Sequence, residues 1–252
     1  MTSRLDQIGL QVRDLRKSFG RPVLEGLDLN IKAGEFYALL GANGAGKTTT
    51  LRIVAGLLPP DRGSVQIFGV DPKHNSIGAK RLTAWLPDEP MLYDKLSPLE
   101  YLEFVAGLWD MNPKQADKIA ERLLNVLDLW AHRHDYCEGF SRGMKQKVAL
   151  AGALVHEPKL MLLDEPLTGL DATIARQVKD LLVERVKDGA TIVLTTHILE
   201  VAERLADRIG ILKQGRLVAE GTLAELQRSS GLNGSSLEDV FLGITQSLER
   251  AA

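Results

Sequence analysis

The stretch that decides the fold of this chain is Gly41-Ala42-Asn43-Gly44-Ala45-Gly46-Lys47-Thr48. It satisfies the pattern G-x-x-x-x-G-K-[ST], and it stands between an apolar run at 36–40 and a helical segment at 47–56. Glycine lets successive backbone N–H groups turn toward one anion without side-chain clashes, and a helix N-terminus favours negative charge. The sequence therefore predicts a phosphate-binding loop between a strand and a helix.

This loop predicts roles for its own residues. Lys47 is expected to reach the β- and γ-phosphates of a nucleotide, and the Thr48 hydroxyl is expected to bind Mg²⁺. The residues predicted to bind nucleotide here are Gly41, Ala42, Asn43, Gly44, Ala45, Gly46, Lys47, Thr48 and Thr49. The alternative is a glycine-rich turn with a solvated lysine, which the position between strand and helix disfavours. Kinases, GTPases and many ATPases share such a loop.

Two acids, Asp164 and Glu165, follow a second apolar run at 160–163. An aspartate at the tip of a buried strand beside the phosphate loop suits Mg²⁺, held directly or through water. Glu165 is expected to orient and deprotonate the attacking water. The alternative is a pair of acids at a solvated strand end. No N-K-x-D-like segment that would read guanine is present, so a GTPase is disfavoured.

The flanking pattern predicts one large α/β domain with an inserted helical lobe at about 94–155. Two early segments alternate as strands, with apolar faces formed by Ile8, Leu10 and Val12, and by Leu27, Leu29 and Ile31. Ser97-Pro98-Leu99-Glu100 and Asn112-Pro113 are typical helix starts. Unalternating apolar runs predict strands covered on both faces of a mostly parallel sheet. Trp109 and Trp130 are expected to fill the core of the lobe.

Composition limits the classes of protein to which the chain can belong. Its 252 residues are 44% hydrophobic and 25% charged, as in ordinary globular proteins. The net charge of -2 argues against a general nucleic-acid binder. Cys137 is the single cysteine, so no disulfide can form within the chain. The apolar runs are too short to span a bilayer, so any action at a membrane is expected to use a partner.

A third motif, Phe140-Ser141-Arg142-Gly143-Met144-Lys145-Gln146, lies shortly before the acid pair. With it the chain resembles the ABC (ATP-binding cassette) ATPase family over about residues 4–225. The resemblance implies a P-loop NTPase core with an N-terminal antiparallel β-subdomain, a mostly parallel central sheet and the inserted helical lobe. The predicted domain is therefore 4–227, followed by a C-terminal tail at 228–252.

The resemblance also implies roles outside the phosphate loop. In the family, the residues matching Ser141 and Gly143 contact the γ-phosphate held by the opposite subunit, which implies a head-to-tail homodimer around two ATP molecules. Phe19 matches the aromatic residue that stacks on adenine, although core packing is an alternative. His197 matches the switch histidine at the γ-phosphate, and 167–171 matches the D-loop between subunits.

Two positions depart from the family pattern. Arg142 stands where glycine is usual, and this form of the motif, with the tail segment 237–242, resembles subunits of ABC-2-type exporters. Asp88 stands where a metal-contacting glutamine is usual. A carboxylate can ligate Mg²⁺ but cannot donate a hydrogen bond as an amide does. Asp88 is therefore either a metal ligand or a turn residue.

Together these observations predict an ATPase that uses ATP and Mg²⁺ to power export through a separate ABC-2-type integral membrane permease. The subunit is expected to be cytoplasmic, on the inner face of the membrane. An ABC ATPase acting on ribosomes or DNA is the alternative, and a non-hydrolysing clamp is disfavoured by Glu165. The apolar residues Met91, Leu92 and Tyr93 are expected either to face the permease or to be buried.

The other four histidines show no such context. We predict that these residues are solvated: His74, His132, His134 and His156.

Overall fold

The computed structural model describes residues 7–250, and the side chains as far as residue 246. Residues 4–6 of the predicted domain and 251–252 of the predicted tail lie outside the described residues. The strands within this range are β1 (Ile8–Phe19), β2 (Arg21–Lys32), β3 (Phe36–Leu40), β4 (Arg62–Ile67), β5 (Thr83–Leu86), β6 (Leu160–Asp164), β7 (Thr191–Thr195), β8 (Arg208–Lys213) and β9 (Arg216–Gly221).

The α-helices in the same range lie between these strands and after the last of them. They are α1 (Lys47–Val54), α2 (Ser76–Leu82), α3 (Pro98–Leu108), α4 (Pro113–Val126), α5 (Arg142–Leu154), α6 (Ala172–Lys187), α7 (Leu199–Leu205), α8 (Leu223–Ser230) and α9 (Leu237–Arg250). Between α2 and α6 the chain forms α3, α4 and α5, which lie inside the predicted lobe at 94–155.

The central sheet has the strand order β5-β6-β7-β3-β8-β9. All pairs are parallel except β8 with β9, which form the hairpin. Side chains alternate between the two faces of a strand, and both faces of this sheet are covered. Met161 and Leu163 of β6 pack in the cluster that contains the lobe, whereas Leu160 and Leu162 pack with α1 and the second sheet. The predicted, mostly parallel α/β fold is confirmed.

The second sheet is antiparallel and has the order β2-β1-β4. The apolar residues of β1 and β2 point into one cluster, as their alternation predicts, and Leu10, Val12 and Leu29 are buried there. Ile8 is different, because a register shift between Ile8 and Leu10 takes it off that face and leaves it 41% exposed. This sheet covers the face of β3 and β6 beside α1.

The lobe begins as its capping signals predict. Ser97 and Glu100 form a capping box at α3, and Asn112 caps α4. The sequence predicts that both tryptophans fill the core of the lobe, but both are only partly buried, and of the two Trp130 packs against the core cluster. Trp109 is half-buried and stacks on His156, and Trp130 is half-buried beneath the guanidinium of Arg133. Indole tolerates such partly polar surroundings because its face attracts cations and its edge is polar.

The tail packs against the core. Gly231 ends α8 in the left-handed conformation, with φ of 74°, and the chain then folds back into α9. Leu237 and Val240 of α9 are fully buried against Ile209 and Ile211 of β8. The segment 231–236 is therefore a turn between two packed helices, and the domain boundary at 227 stays a prediction.

Candidate nucleotide-binding site

The loop 41–48 joins β3 to α1, and two of its glycines are required by close packing. A Cβ atom on Gly41 would lie 2.4 Å from the carbonyl oxygen of Leu212, and one on Gly46 would lie 2.7 Å from Cδ2 of Leu24. Gly46 also has a φ of 108°, which disfavours other residues. Among the described side chains, none caps α1. Its first-turn N–H groups therefore have no side-chain cap, an arrangement that suits an anion.

Lys47 lies folded over this loop. Its Nζ donates hydrogen bonds to the carbonyl oxygens of Gly41, at 2.7 Å, and Ala42, at 3.2 Å. Burial lowers the pKa of Lys47, while the charges of Glu165 and Asp164 raise it. The ammonium is thus held between the loop carbonyls and the two acids at the end of β6, where an incoming phosphate would meet it.

Asp164 is the buried acid of the site and is 3% exposed. Its Oδ2 accepts a hydrogen bond of 2.7 Å from the Thr48 hydroxyl, and its Oδ1 accepts one from the Thr195 hydroxyl. The described side chains include no group of three His, Cys, Asp or Glu residues that could hold a metal ion. One carboxylate, one hydroxyl and substrate phosphates are nevertheless a donor set that suits Mg²⁺, which rarely needs an all-protein cage.

Glu165 follows directly but takes a different conformation. Its φ is 50°, an uncommon value for a residue other than glycine. Its backbone N–H donates to the carbonyl oxygen of Thr195 at 3.1 Å. Its Oε2 lies 2.9 Å from Nδ1 of His197. The backbone change at Glu165 ends the strand, so that Asp164 contacts Thr48 while Glu165 contacts His197.

His197 stands two residues beyond β7, and its side chain is 65% exposed. Because β6, β7 and β3 are neighbouring parallel strands, their carboxyl ends bring the acids, this imidazole and the phosphate loop to the same edge. The sequence placed these groups on separate segments. The structure brings Lys47, Thr48, Asp164, Glu165 and His197 together.

The third motif, 140–146, lies at the start of α5, and we call it the signature segment and α5 the signature helix. The Ser141 hydroxyl caps this helix by accepting from the backbone N–H of Met144 at 3.3 Å. A Cβ atom on Gly143 would lie 2.9 Å from the carbonyl oxygen of Gly169. The segment 167–171 therefore rests on the signature helix. The roles of Ser141 and Gly143 toward a second subunit stay predictions.

Phe19 and Asp88 lie at the surface. Phe19 ends β1 with 57% of its surface exposed, so the core-packing alternative is wrong and its stacking role stays a prediction. Asp88 is half-exposed, and its Oδ1 lies 3.5 Å from a guanidinium nitrogen of Arg142. Its role as a metal ligand also stays a prediction.

The structure corrects the prediction for one histidine. His74, His132 and His134 are exposed, as expected. His156 is half-buried and stacks on Trp109, with ring centroids 4.5 Å apart. Burial lowers the pKa of His156 to about 4. His156 follows buried Val155 at the end of α5, and the apolar run of that helix was the sequence signal for its burial.

An apolar groove, which we call the lobe groove, opens between the segment after β5 and the helices α3 and α5. Its volume is about 370 Å³. Met91 is 90% exposed at this groove, and nearby Tyr93 is 60% exposed. Leu92 packs partly buried against the core. The groove lining includes Trp85, Met91, Tyr101, Val105, Trp109 and His156.

Comparison with known proteins assigns the family. Residues 24–168, more than half of the chain, match the ABC transporter family. The chain is 34% identical to the ABC-type transporter ATP-binding protein EcsA of Bacillus subtilis, covering 94% of this chain and 96% of EcsA. It is 33% identical to the linearmycin resistance ATP-binding protein LnrL of Bacillus subtilis, covering 95% of this chain and 79% of LnrL.

Solved structures give the same result. An ATP-binding subunit of an ABC transporter superposes with a TM-score of 0.90 at 36% identity, covering 94% of this chain and 99% of that one. A dimeric ATP-binding cassette in a post-hydrolysis state, bound to ADP and Pi, superposes with a TM-score of 0.79 at 28% identity, covering 85% and 98%. The chain therefore belongs to the ABC transporter family and is one of its ATP-binding, ATP-hydrolysing subunits.

Proposed function

We propose that this chain hydrolyses ATP at the site formed by the loop 41–48 and the ends of β6 and β7, and that hydrolysis powers export through a separate membrane permease. The observation that carries the proposal is the contact of Glu165 with His197 beside the contact of Thr48 with Asp164. These two contacts support the assignment of Glu165 as a base and of Thr48 and Asp164 as a metal-binding pair beside the loop 41–48.

Each residue has a distinct part in this proposal. The first-turn N–H groups of α1 and Lys47 bind the β- and γ-phosphates. Glu165 accepts a proton from water aligned with the γ-phosphate, and His197 holds that carboxylate and donates toward the phosphate. Phe19 stacks on adenine.

Mg²⁺ fits the oxygen donors of Thr48 and Asp164, and it supplies neutralisation of the phosphate charge when bound. The hydroxyl of Thr195 orients the Asp164 carboxylate from the other side. Because Asp164 is buried, water competes little for this carboxylate.

We further propose that two copies assemble head to tail, with Ser141 and Gly143 of each closing on the ATP of the other. The dimeric state of the ADP-bound and Pi-bound relative supports this assembly. The position of Ser141 and Gly143 at the start of α5 supports it too, because a helix N-terminus favours a phosphate.

The partner is proposed to be an ABC-2-type permease, with the subunit on the cytoplasmic face of the membrane. Relatives of this chain carry the names linearmycin resistance and daunorubicin/doxorubicin resistance ATP-binding protein, and the second, from Streptomyces peucetius, is 37% identical over 214 residues. Among the described residues, no helix is both long and apolar enough to cross a bilayer. The lobe groove is the proposed contact surface.

The substitution Glu165→Gln tests the chemistry. Loss of the general base is expected to lower kcat by about 10²- to 10⁴-fold while ATP binding is retained, and to trap an ATP-bound dimer. Steady-state hydrolysis, nucleotide titration and size-exclusion chromatography measure the three effects. Glu200→Gln, at an exposed acid of α7 paired with Arg204, is the control and should hydrolyse at the parent rate. Parent-level turnover in Glu165→Gln would remove Glu165 as the base.

A further inference from the structure

The segment that follows β5 lies against the first turn of α5. Arg142 pairs with Asp88 at 3.5 Å, and Lys145 pairs with Asp94 at 2.8 Å. Arg142 and Lys145 are three residues apart on a helix, so their side chains lie on the same face. Two acids of one loop therefore meet two cations of one helical turn.

The two ends of this loop are held differently. At its far end, backbone bonds add to the ion pair, because the N–H groups of Cys137 and Glu138 donate to the carbonyl oxygens of Leu96 and Asp94 at 3.0 and 2.9 Å. At its near end, Asp88 is joined to α5 through its side chain. The ion pair between Asp88 and Arg142 is therefore the described contact that joins the near end of the loop to the signature helix.

Arg142 also reaches a third segment. A Cβ atom on Gly169 would lie 3.8 Å from Cδ of Arg142, so the arginine stem runs along the segment 167–171. The same side chain pairs with Asp88 of the loop after β5 and lies close to Gly169 of the D-loop. The two departures from the family pattern, Arg142 and Asp88, are in contact with each other.

We propose that Asp88 and Arg142 form a charge clasp that positions the loop after β5 on the signature helix and so links the core to the lobe. This rests on the proposed function, in which the start of α5 closes on the ATP of a second subunit. Both side chains are about half-exposed, at 59% for Arg142 and 48% for Asp88. Solvent and salt therefore weaken the clasp, which suits a contact that opens and closes.

The first experiment measures the clasp in the nucleotide-free chain. Arg142→Gln, Asp88→Asn and the double variant are unfolded with urea at low and at high salt. Exposed ion pairs change the equilibrium constant of unfolding by about two- to fivefold. If the pair forms, the increase in this constant in the double variant should be smaller, by about two- to fivefold, than the product of the increases in the two single variants. The shortfall should vanish in about 1 M salt, where the screening length is about 3 Å.

The matched control is Arg122→Gln combined with Asp88→Asn. Arg122 forms an exposed pair with Glu184, at 2.7 Å, which also joins the lobe to the core. Arg122 pairs with Glu184, and Asp88 pairs with Arg142. The effects of Arg122→Gln and Asp88→Asn on the unfolding constant should therefore multiply, as for independent sites. Independent effects of Arg142→Gln and Asp88→Asn would overturn the clasp, and this result does not depend on ATP hydrolysis.

The second experiment separates positioning from direct ligation. Arg142→Gln and Asp88→Asn should each lower kcat by about two- to fivefold, and the double variant should lower it no further than either single variant. The KM for ATP should not change, and Arg142→Lys should restore kcat. The Mg²⁺ requirement should stay as in the parent. A raised Mg²⁺ requirement in Asp88→Asn alone would make Asp88 a metal ligand. A fall in kcat in the double variant equal to the product of the two single falls would indicate that Arg142 acts separately at the phosphate. Either outcome would overturn the proposal.

Discussion

At the scale of single residues, this chain places two acids with different side-chain contacts next to each other. Asp164 is buried and fixed by two hydroxyls, whereas Glu165 turns out of the strand toward His197. A fixed carboxylate suits metal binding, because the oxygen position is set before the ion arrives. A carboxylate beside an imidazole suits proton transfer, because both groups can accept and donate protons.

His156 gives a prediction on pH. Its pKa is about 4 in the folded chain, below the ordinary value of 6.5, because burial disfavours the charged ring. The unfolded chain therefore binds more protons between pH 6.5 and 4, so stability falls as the pH drops through this window, by up to about 3 kcal/mol. His156→Phe keeps an aromatic ring against Trp109 and should remove this part of the loss.

Urea unfolding of parent and His156→Phe at pH 7 and at pH 4.5 measures the difference. Carboxylates contribute to both chains equally, so subtraction isolates the histidine. His132→Phe is the control, because that ring is half-exposed and paired with Asp135. An equal loss of stability in parent and His156→Phe would contradict the prediction.

At the scale of elements, the site is made by neighbouring strands and the tail by a returning helix. The carboxyl ends of β3, β6 and β7 meet because these strands pair in parallel. The helix α9 packs on the face of the sheet formed by Ile209 and Ile211 of β8 and by Ala38 and Leu40 of β3. Its first buried residue, Leu237, is also tied to α7 through a backbone N–H that donates to Glu203 at 3.0 Å.

This packing predicts that the tail stabilises the core. Leu237 is fully buried, so Leu237→Ala should lower the free energy of unfolding by about 2–5 kcal/mol. Leu242 lies on the same helix and is 44% exposed, so Leu242→Ala should change it by about 0.5 kcal/mol or less. Thermal and urea unfolding compare the two variants. Equal small effects would show that the tail contributes no stability.

At the scale of the whole molecule, the lobe groove is the surface that we propose as the contact with the membrane permease. Met91 is exposed in this groove. Nearby, Tyr93 is also exposed and packs edge-on against Phe104, with ring centroids 5.2 Å apart. Exposed apolar groups gathered at one groove commonly mark an interaction site. Leu92 packs against the core, so its substitution would test folding rather than docking.

Met91→Asp and Tyr93→Ala are therefore expected to weaken recovery of the subunit with a membrane protein by about tenfold or more, while ATP binding by the purified subunit is unchanged. Co-purification from detergent-solubilised membranes measures the first effect, and nucleotide titration measures the second. Ile77→Asp, at a site on α2 that is 72% exposed, is the control and should co-purify normally. Recovery with ribosomes or DNA, and never with a membrane protein, would favour the non-transport alternative.

The sequence alone determined the fold class and most of the local structure. The loop 41–48, the unalternating apolar runs and the capping residues Ser97 and Asn112 are local signals, because backbone conformation and the first turn of a helix depend on neighbouring residues. These signals predicted the α/β sheet and the helix starts that the structure has. The site roles remain predictions, although they led to the residues that the structure brings together.

Tertiary structure decided what depends on contacts between distant segments. The stacking of His156 on Trp109, the partial exposure of Trp109 and Trp130, and the register shift beside Ile8 follow from contacts between segments distant in sequence. The pairing of Asp88 with Arg142 joins residues 54 positions apart. The sequence shows that both residues depart from the family pattern. Only the folded chain shows that they meet, because its topology sets their separation in space.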